Sequence, residues 1–235
     1  FNDSVFLTAL QNTFLLSIIV GPLSYLLSLF LAWLVNEFKN PWKTILTVVF
    51  YAPTLSNAVF TIWMIVFDGD IYGYLNSFLI NAGFINDPIQ WRSDPQYMMT
   101  VVIIVQLWVS LGTSFLTLRA GFNTVDRQYY EAAALDGIKN RWYELWYITL
   151  PSMKSILLFG AVMQIQATFS ISSICTTLAG YPSVNNTVDT IVSHLVDVGT
   201  VRYEMGYASA ISVFLFALMA ITRIVVGKLL HLVGR

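Results

Sequence analysis

Five stretches of this chain stay apolar for roughly 20 residues or more, the length a helix needs to cross the hydrocarbon core of a bilayer. They run over 10–35, 44–67, 98–118, 152–178 and 206–230. Backbone amides facing lipid are satisfied only inside a helix or a closed barrel, and no strand-like alternation runs through these stretches, so each is expected to be helical. The expected fold class is an all-α integral membrane protein, one domain over 1–235 with five transmembrane helices. Charge agrees, because Asp, Glu, Lys and Arg make up only 11 % of the residues against 57 % apolar, far less charge than a soluble domain of this size carries. Pro22 and Pro53 fall inside two spans, where each removes an amide donor and should kink its helix. Cys175 is the one cysteine, which excludes an internal disulfide and points to simple packing.

The basic residues set an orientation, since Lys and Arg are retained on the cytoplasmic side. Lys39, Lys43, Arg119, Arg127, Lys139, Arg141, Lys154, Arg223, Lys228 and Arg235 fall on one side, and only Arg92 and Arg202 on the other. The expectation is a cytoplasmic loop after the third span and extracytoplasmic loops over 68–97 and 179–204. Those outer segments also gather Asp68, Asp70, Asp87, Asp94, Asp189, Asp197 and Glu204. The amino end is then external and begins at Phe1 rather than Met, so an upstream membrane helix is expected before it. Within the first outer loop, 71–80 is too short to cross and rich in aromatic and aliphatic groups, which predicts an interfacial helix.

Between the third and fourth spans lies a polar stretch with helical chemistry. Asp126 suits the N-cap of a helix over Tyr129–Asp136, where Ala132, Ala133, Ala134 and Leu135 are strong helix formers. Gly137 suits the left-handed position that ends a helix. A second short helix from about Arg141 would set Trp142, Leu145 and Trp146 on neighbouring turns, and Pro151 would open the next membrane helix. Two readings fit this helix-turn-helix: a surface offered to another protein, or a loop folded back on its own bundle.

The order Glu131-Ala132-Ala133, Asp136-Gly137 and Ile148-Thr149-Leu150-Pro151 resembles the EAA loop of permease subunits in binding-protein-dependent ABC importers. Asn12-Thr13, Tyr51-Ala52-Pro53, Ala120-Gly121-Phe122 and Met205-Gly206-Tyr207-Ala208-Ser209-Ala210 match further positions of that family, so the likeness covers nearly the whole chain. It implies a type I importer transmembrane domain of the MetI-like fold in a bacterial inner membrane, of the carbohydrate class that includes the maltose permeases. It also implies that loop 126–148 forms coupling helices seated in a groove of a cytosolic ATPase, with Glu131, Ala132, Ala133, Asp136, Gly137, Leu150 and Pro151 carrying the contact. The implied partners are a second permease subunit, similar or identical, two ABC ATPase subunits, an extracytoplasmic solute-binding protein and a sugar or oligosaccharide; another small solute is the alternative, and no nucleic acid is implied. There are departures. Ten residues, 138–147, separate Gly137 from Ile148, one more than is usual, Asp126 stands where many relatives have Pro, and Ile138 where Ala is usual. The runs Gly137–Trp142 and Arg202–Tyr207 resemble an alginate-type oligosaccharide subgroup.

No phosphate loop ending in Gly-Lys-Ser/Thr occurs, and Gly227-Lys228-Leu229 lacks the hydroxyl, so ATP and Mg would belong to the partner ATPase. The chain is expected to be non-catalytic, with no cofactor or metal of its own. Polar groups inside spans are costly against lipid and tend to face a cavity or a neighbouring helix. Gln164, Thr168 and Ser172 recur at four-residue spacing, as on one helical face, and Gln106, Ser110 and Thr113 do the same on the third span. With Asn57, Trp63 and Trp108 they are candidates to line a sugar pathway by amide, hydroxyl and aromatic contacts. Helix-to-helix hydrogen bonding, worth about 0.6 to 2 kcal/mol per contact, accounts equally well for any one of them. His194 and Asp197 are too few for a metal site and are expected on a solvated surface. A channel or secondary transporter would place a charged residue deep in the bundle, and no span carries an acid near its centre. A membrane enzyme would need a clustered acid, base or metal constellation, which is absent.

Overall fold

The computed structural model describes residues 3–55, 59–138 and 140–233, and among them the regular structure is entirely helical. Helix α1 spans Ser4–Glu37, at about 1.5 Å per residue some 51 Å, which overreaches a 30 Å hydrocarbon core. Asp3 caps it by accepting from the amides of Val5 at 2.9 Å and Phe6 at 3.3 Å. Helix α2 (Trp42–Tyr51) runs into a tight turn at Ala52–Leu55 that holds Pro53, and α3 (Val59–Val66) leaves at 85° to it. The second span is therefore broken rather than kinked, and Pro53, which lacks an amide donor, lies in the turn that precedes the bend. Asn57 lies outside the described residues.

The interfacial helix predicted over 71–80 is α4, Tyr74–Asn81. It is tied down by Asn76, fully buried, whose amide donates to the carbonyls of Asp68, Asp70 and Ile89 and accepts from the Ile89 amide and the Trp91 indole. Helix α5 (Pro95–Phe122) starts at a cap by Asp94 with Pro95 in its first turn, and packs against α1, α2 and later helices as the central element.

The stretch after α5 holds α6 (Arg127–Leu135), α7 (Arg141–Glu144), a wide π-type turn at Leu145–Thr149 and α8 (Leu150–Ser152). Pro151 was expected to open the fourth membrane helix. It lies instead in α8, one short turn before an 81° bend, and the membrane helix α9 begins at Lys154. That helix ends at Phe169, not at 178: Ser170–Ser172 interrupt the span and α10 (Ser173–Ala179) follows. Helix α11 (Ile191–Val196) and α12 (Met205–Val233) complete the chain. By length and composition α1, α5 and α12 cross a membrane unaided, and the two bent pairs bring the number of candidate spans to five.

Three apolar clusters hold the bundle. Phe6, Ile191 and Ile211 join α1, α11 and α12 at one end; Leu16, Val102 and Ile174 join α1, α5 and α10; Ala32, Phe115, Leu118 and Met153 join α1, α5 and the foot of α9 at the other end. Cys175 packs in the second cluster, buried and free. Each buried Leu, Ile or Phe is worth about 1.5–3 kcal/mol against water, but lipid is itself apolar, so within the bilayer close packing and buried polar bonds set which helices meet.

Candidate coupling loop and membrane-buried polar groups

Helix α6 is closed at both ends by its own sequence. Asp126 Oδ1 accepts from the Gln128 amide at 3.0 Å. At the other end Gly137 adopts φ +88°, and the amides of Ile138 and Gly137 reach back to the carbonyls of Ala133 at 3.0 Å and Ala134 at 3.3 Å. This is a Schellman closure, in which a left-handed residue satisfies carbonyls that the helix end would orphan. A residue with a side chain at that φ costs roughly 1–2 kcal/mol, so Gly137 fixes where the chain turns. Of the helix itself only Ala133 is buried; Glu131, Ala132 and Asp136 are exposed, and Leu135 is 90 % exposed. Glu131 pairs with Arg127 one turn earlier at 3.3 Å, in solvent, where such pairs contribute little.

Two contacts that the sequence did not advertise tie α6 and α7 down, one each. Tyr130 Oη and the buried Thr149 Oγ1 lie 2.8 Å apart, and Thr149 also donates to the Glu144 carbonyl. Arg141 bridges Glu37, at the end of α1, at 3.4 Å and Glu144 at 2.7 Å. The Glu144 hydrogen bond first, and then the charges of Glu37 and Glu144, raise the Arg141 guanidinium further above its usual value. These groups line a cavity of about 210 Å³ between α1, α6 and the turn before α8. Leu150 is half-buried and Pro151 exposed at its rim. The aromatic residues expected on neighbouring turns divide: Leu145 is buried, while Trp142 and Trp146 stay largely exposed and Trp142 meets Trp33 of α1 edge-on.

Inside the bundle, Gln164 is 2 % exposed and knots three helices. Its carbonyl accepts from Ser114 of α5 and its amide donates to Ser24 of α1. Thr168, also buried, bonds back to the Gln164 and Ile165 carbonyls of its own helix. Ser172 does not continue that face, because it falls in the break between α9 and α10. On α5, Ser110 donates to the backbone carbonyl of Gln106, so of the three grouped there Ser110 serves its own turn; the Thr113 side chain lies outside the described residues. Trp63 and Trp108 meet edge-to-face at 5.3 Å, bringing α3 and α5 together as an aromatic pair. A cavity of about 410 Å³ opens between α1, α9 and α12, lined by Phe14, Gly21, Tyr25, Gln164, Thr168 and Val226 among others.

At the far end the segment 186–191 is pinned to α1. Asn12 donates to the carbonyls of Asn186 at 2.8 Å and Asp189 at 3.0 Å, and Thr13 Oγ1 accepts from the Ile191 amide at 3.0 Å. His194 is not on a solvated surface as expected. It is fully buried among Phe6, Tyr207 and Asp3, with Nε2 3.2 Å from Asp3 Oδ2 though off the line a hydrogen bond needs. Asp197 pairs with Arg202 at 2.8 Å. Burial works to raise the Asp3 carboxyl, but hydrogen bonds from Tyr207, Phe6 and Val5, with His194 nearby, outweigh it and hold the group below the usual carboxylate range.

These residues make a helical membrane bundle that carries a capped, exposed helix-turn-helix between its third and fourth spans. The chain belongs to the family described as binding-protein-dependent transport system inner membrane component, which matches residues 7–233. It is 30 % identical over 163 residues to the lactose transport system permease protein LacF of Rhizobium radiobacter, a match covering 68 % of this chain and 54 % of that protein. It is 28 % identical over 234 residues to the arabinooligosaccharides transport system permease protein AraP of Bacillus subtilis (strain 168), covering 97 % of this chain and 72 % of that one. The match thus spans about half the length of the first relative. A chain of a bacterial ABC transporter involved in the import of the acidic polysaccharide alginate shares the fold, with a TM-score of 0.81 at 20 % identity over 100 % of this chain and 80 % of that one.

Proposed function

We propose that this chain is one permease subunit of an ATP-driven importer, forming half of the membrane pathway for a sugar or oligosaccharide by alternating access. The observation that carries the reading is α6, a short helix closed at both ends and exposed along most of its surface, tied through Tyr130 to Thr149 in the turn before α8 and followed by α7, whose Arg141 bridges to Glu37 of α1. A helix so well capped and buried so little is suited to receive a push from another protein. In this reading α6 faces the cytosol and seats in an ATPase subunit through Glu131, Ala132, Ala133 and Asp136, with Gly137 setting the turn and Leu150 and Pro151 the base. Two such ATPases bind the ATP and Mg, and the gating is a rigid-body movement of packed helices.

A second permease subunit completes the pathway. Loops 68–97 and 179–204 receive a solute-binding protein on the outer side. The Trp63–Trp108 pair, Gln106 and Ser172 are the groups best placed for the sugar, because Gln164, Thr168 and Ser110 are committed to bonds within the bundle. The names of the relatives support the carbohydrate class. The test is uptake of a panel of labelled oligosaccharides by the reconstituted complex, which is expected to require ATP and the binding protein; uptake without ATP overturns the mechanism. Glu131→Lys and Gly137→Val are expected to leave the chain inserted and abolish uptake. Unchanged uptake and ATPase co-purification in both would remove α6 from this role.

A further inference from the structure

The first turn of α2 and the last turn of α5 lie side by side at the membrane boundary from which α6 projects, and each ends in a cation. Thr47 ties them together: its hydroxyl donates to the Lys43 carbonyl at 2.6 Å and accepts from Arg119 Nε at 2.9 Å. Lys43 Nζ spends one donor on Asn36 Oδ1 at 2.6 Å. Arg119 Nη1 is buried with no acceptor among the described residues, a desolvated donor left without its bond. The carboxylate that acts on Lys43 is Glu37, and it is already engaged by Arg141, which also holds Glu144. Arg141 thus takes up both carboxylates, Glu37 and Glu144, and the positive charge of Lys43 and Arg119 is left largely uncompensated. The positive end of the α2 dipole adds to it.

Beside this charge α2 turns an apolar face outward. Trp42, Ile45, Val48 and Val49 are 62 %, 48 %, 61 % and 57 % exposed, and 42, 45 and 49 follow one helical stripe leading away from Lys43 into the span.

We propose that Lys43 and Arg119 form a binding site for the phosphate of an anionic membrane lipid, with the lipid's acyl chain lying along Trp42, Ile45 and Val49. The phosphate oxygens neutralise the surplus charge, and a small turn of the Arg119 guanidinium toward them would give Nη1 the acceptor it lacks. Basic groups between helix ends next to an anionic leaflet attract such lipids by about 1 kcal/mol per charge, or roughly fivefold.

The test is native mass spectrometry of the full chain released from nanodiscs of mixed phosphatidylglycerol and phosphatidylcholine with identical acyl chains. The wild type is expected to retain phosphatidylglycerol in preference to phosphatidylcholine. K43Q is expected to weaken that preference about fivefold and K43Q/R119Q about thirtyfold, whereas K43R keeps it. Equal retention of the two lipids, or a preference unchanged in K43Q, overturns the proposal. Displacement of the lipid by glycerol phosphate or by an acidic oligosaccharide at matching concentration overturns it too, since the site would then belong to a soluble anion. If the double variant does not fold, K43Q alone decides, because it leaves the bond from Arg119 to Thr47 in place.

Discussion

At the scale of single residues, one of the groups that hold the loop is shielded from solvent. It is Thr149, whose buried hydroxyl joins α6 to the turn before α8 through Tyr130. Thr149→Val keeps the shape and removes the bond, so reversible unfolding in mixed micelles should show a loss of about 1 kcal/mol, with Tyr130→Phe giving the same loss and the pair no further one. Additive losses would mean that the two hydroxyls do not act on one another. Asp3 predicts a pH dependence. Its carboxyl sits below the ordinary value of 3.8 in the folded chain, so its contribution is fully present above that value and disappears as pH falls through the lower, folded-state value. Asp3→Asn should flatten the acid limb of stability below about pH 4, read by the same unfolding at a series of pH values; an unchanged limb would show that Asp3 titrates alike in both states. The caps at Asp126 and Gly137 were legible in the sequence because a cap is local chemistry, a short acceptor before a helix and a residue without Cβ after it. The burial of His194 was not legible, since Phe6 and Tyr207 that cover it come from opposite ends of the chain.

At the scale of elements, hydropathy located the spans but not their continuity. The break at Pro53 carried a signal in the missing amide of the proline. The break at Ser170–Ser172 carried none, because the apolar pattern runs on through Ile171 and what holds the chain there is remote: Thr190 Oγ1, from the segment 186–191, donates to the Ile171 carbonyl at 2.8 Å. A carbonyl released from a helix within a membrane needs such a partner. That break also moved Ser172 off the face it was expected to share with Gln164 and Thr168. For α9 the polar group of consequence is Gln164, whose two side-chain bonds reach α1 and α5. Gln164→Met keeps the length and removes both, which should cost about 1–2 kcal/mol in the same unfolding measurement. A larger loss accompanied by failed insertion would point to a role in assembling the bundle rather than in joining finished helices.

At the scale of the whole molecule, α1 reaches both polar ends. Asn12 and Thr13 hold the segment 186–191 near its start, and Glu37 holds Arg141 of α7 at its end, about 37 Å along the axis at 1.5 Å per residue. Substitutions so far apart ordinarily act independently, within about 0.5 kcal/mol. If α1 carries the binding protein's arrival to the ATPases, Asn12→Ala and Arg141→Ala should be non-additive in their effect on stimulated ATP hydrolysis by more than that margin. Simple additivity would make α1 a passive strut. The bend between α8 and α9 bears on the same question from the other direction. The segment Arg141–Ser152 runs at 81° to α9, and as a helical path of 12 residues it is about 18 Å long. In the proposed gating it would serve as a crank arm, and a thrust of one helical pitch, about 5 Å, at its outer tip would turn the shaft at its root by roughly 16°. The shaft is α9, so such torque would be felt first where Gln164 is fastened to Ser24 and Ser114.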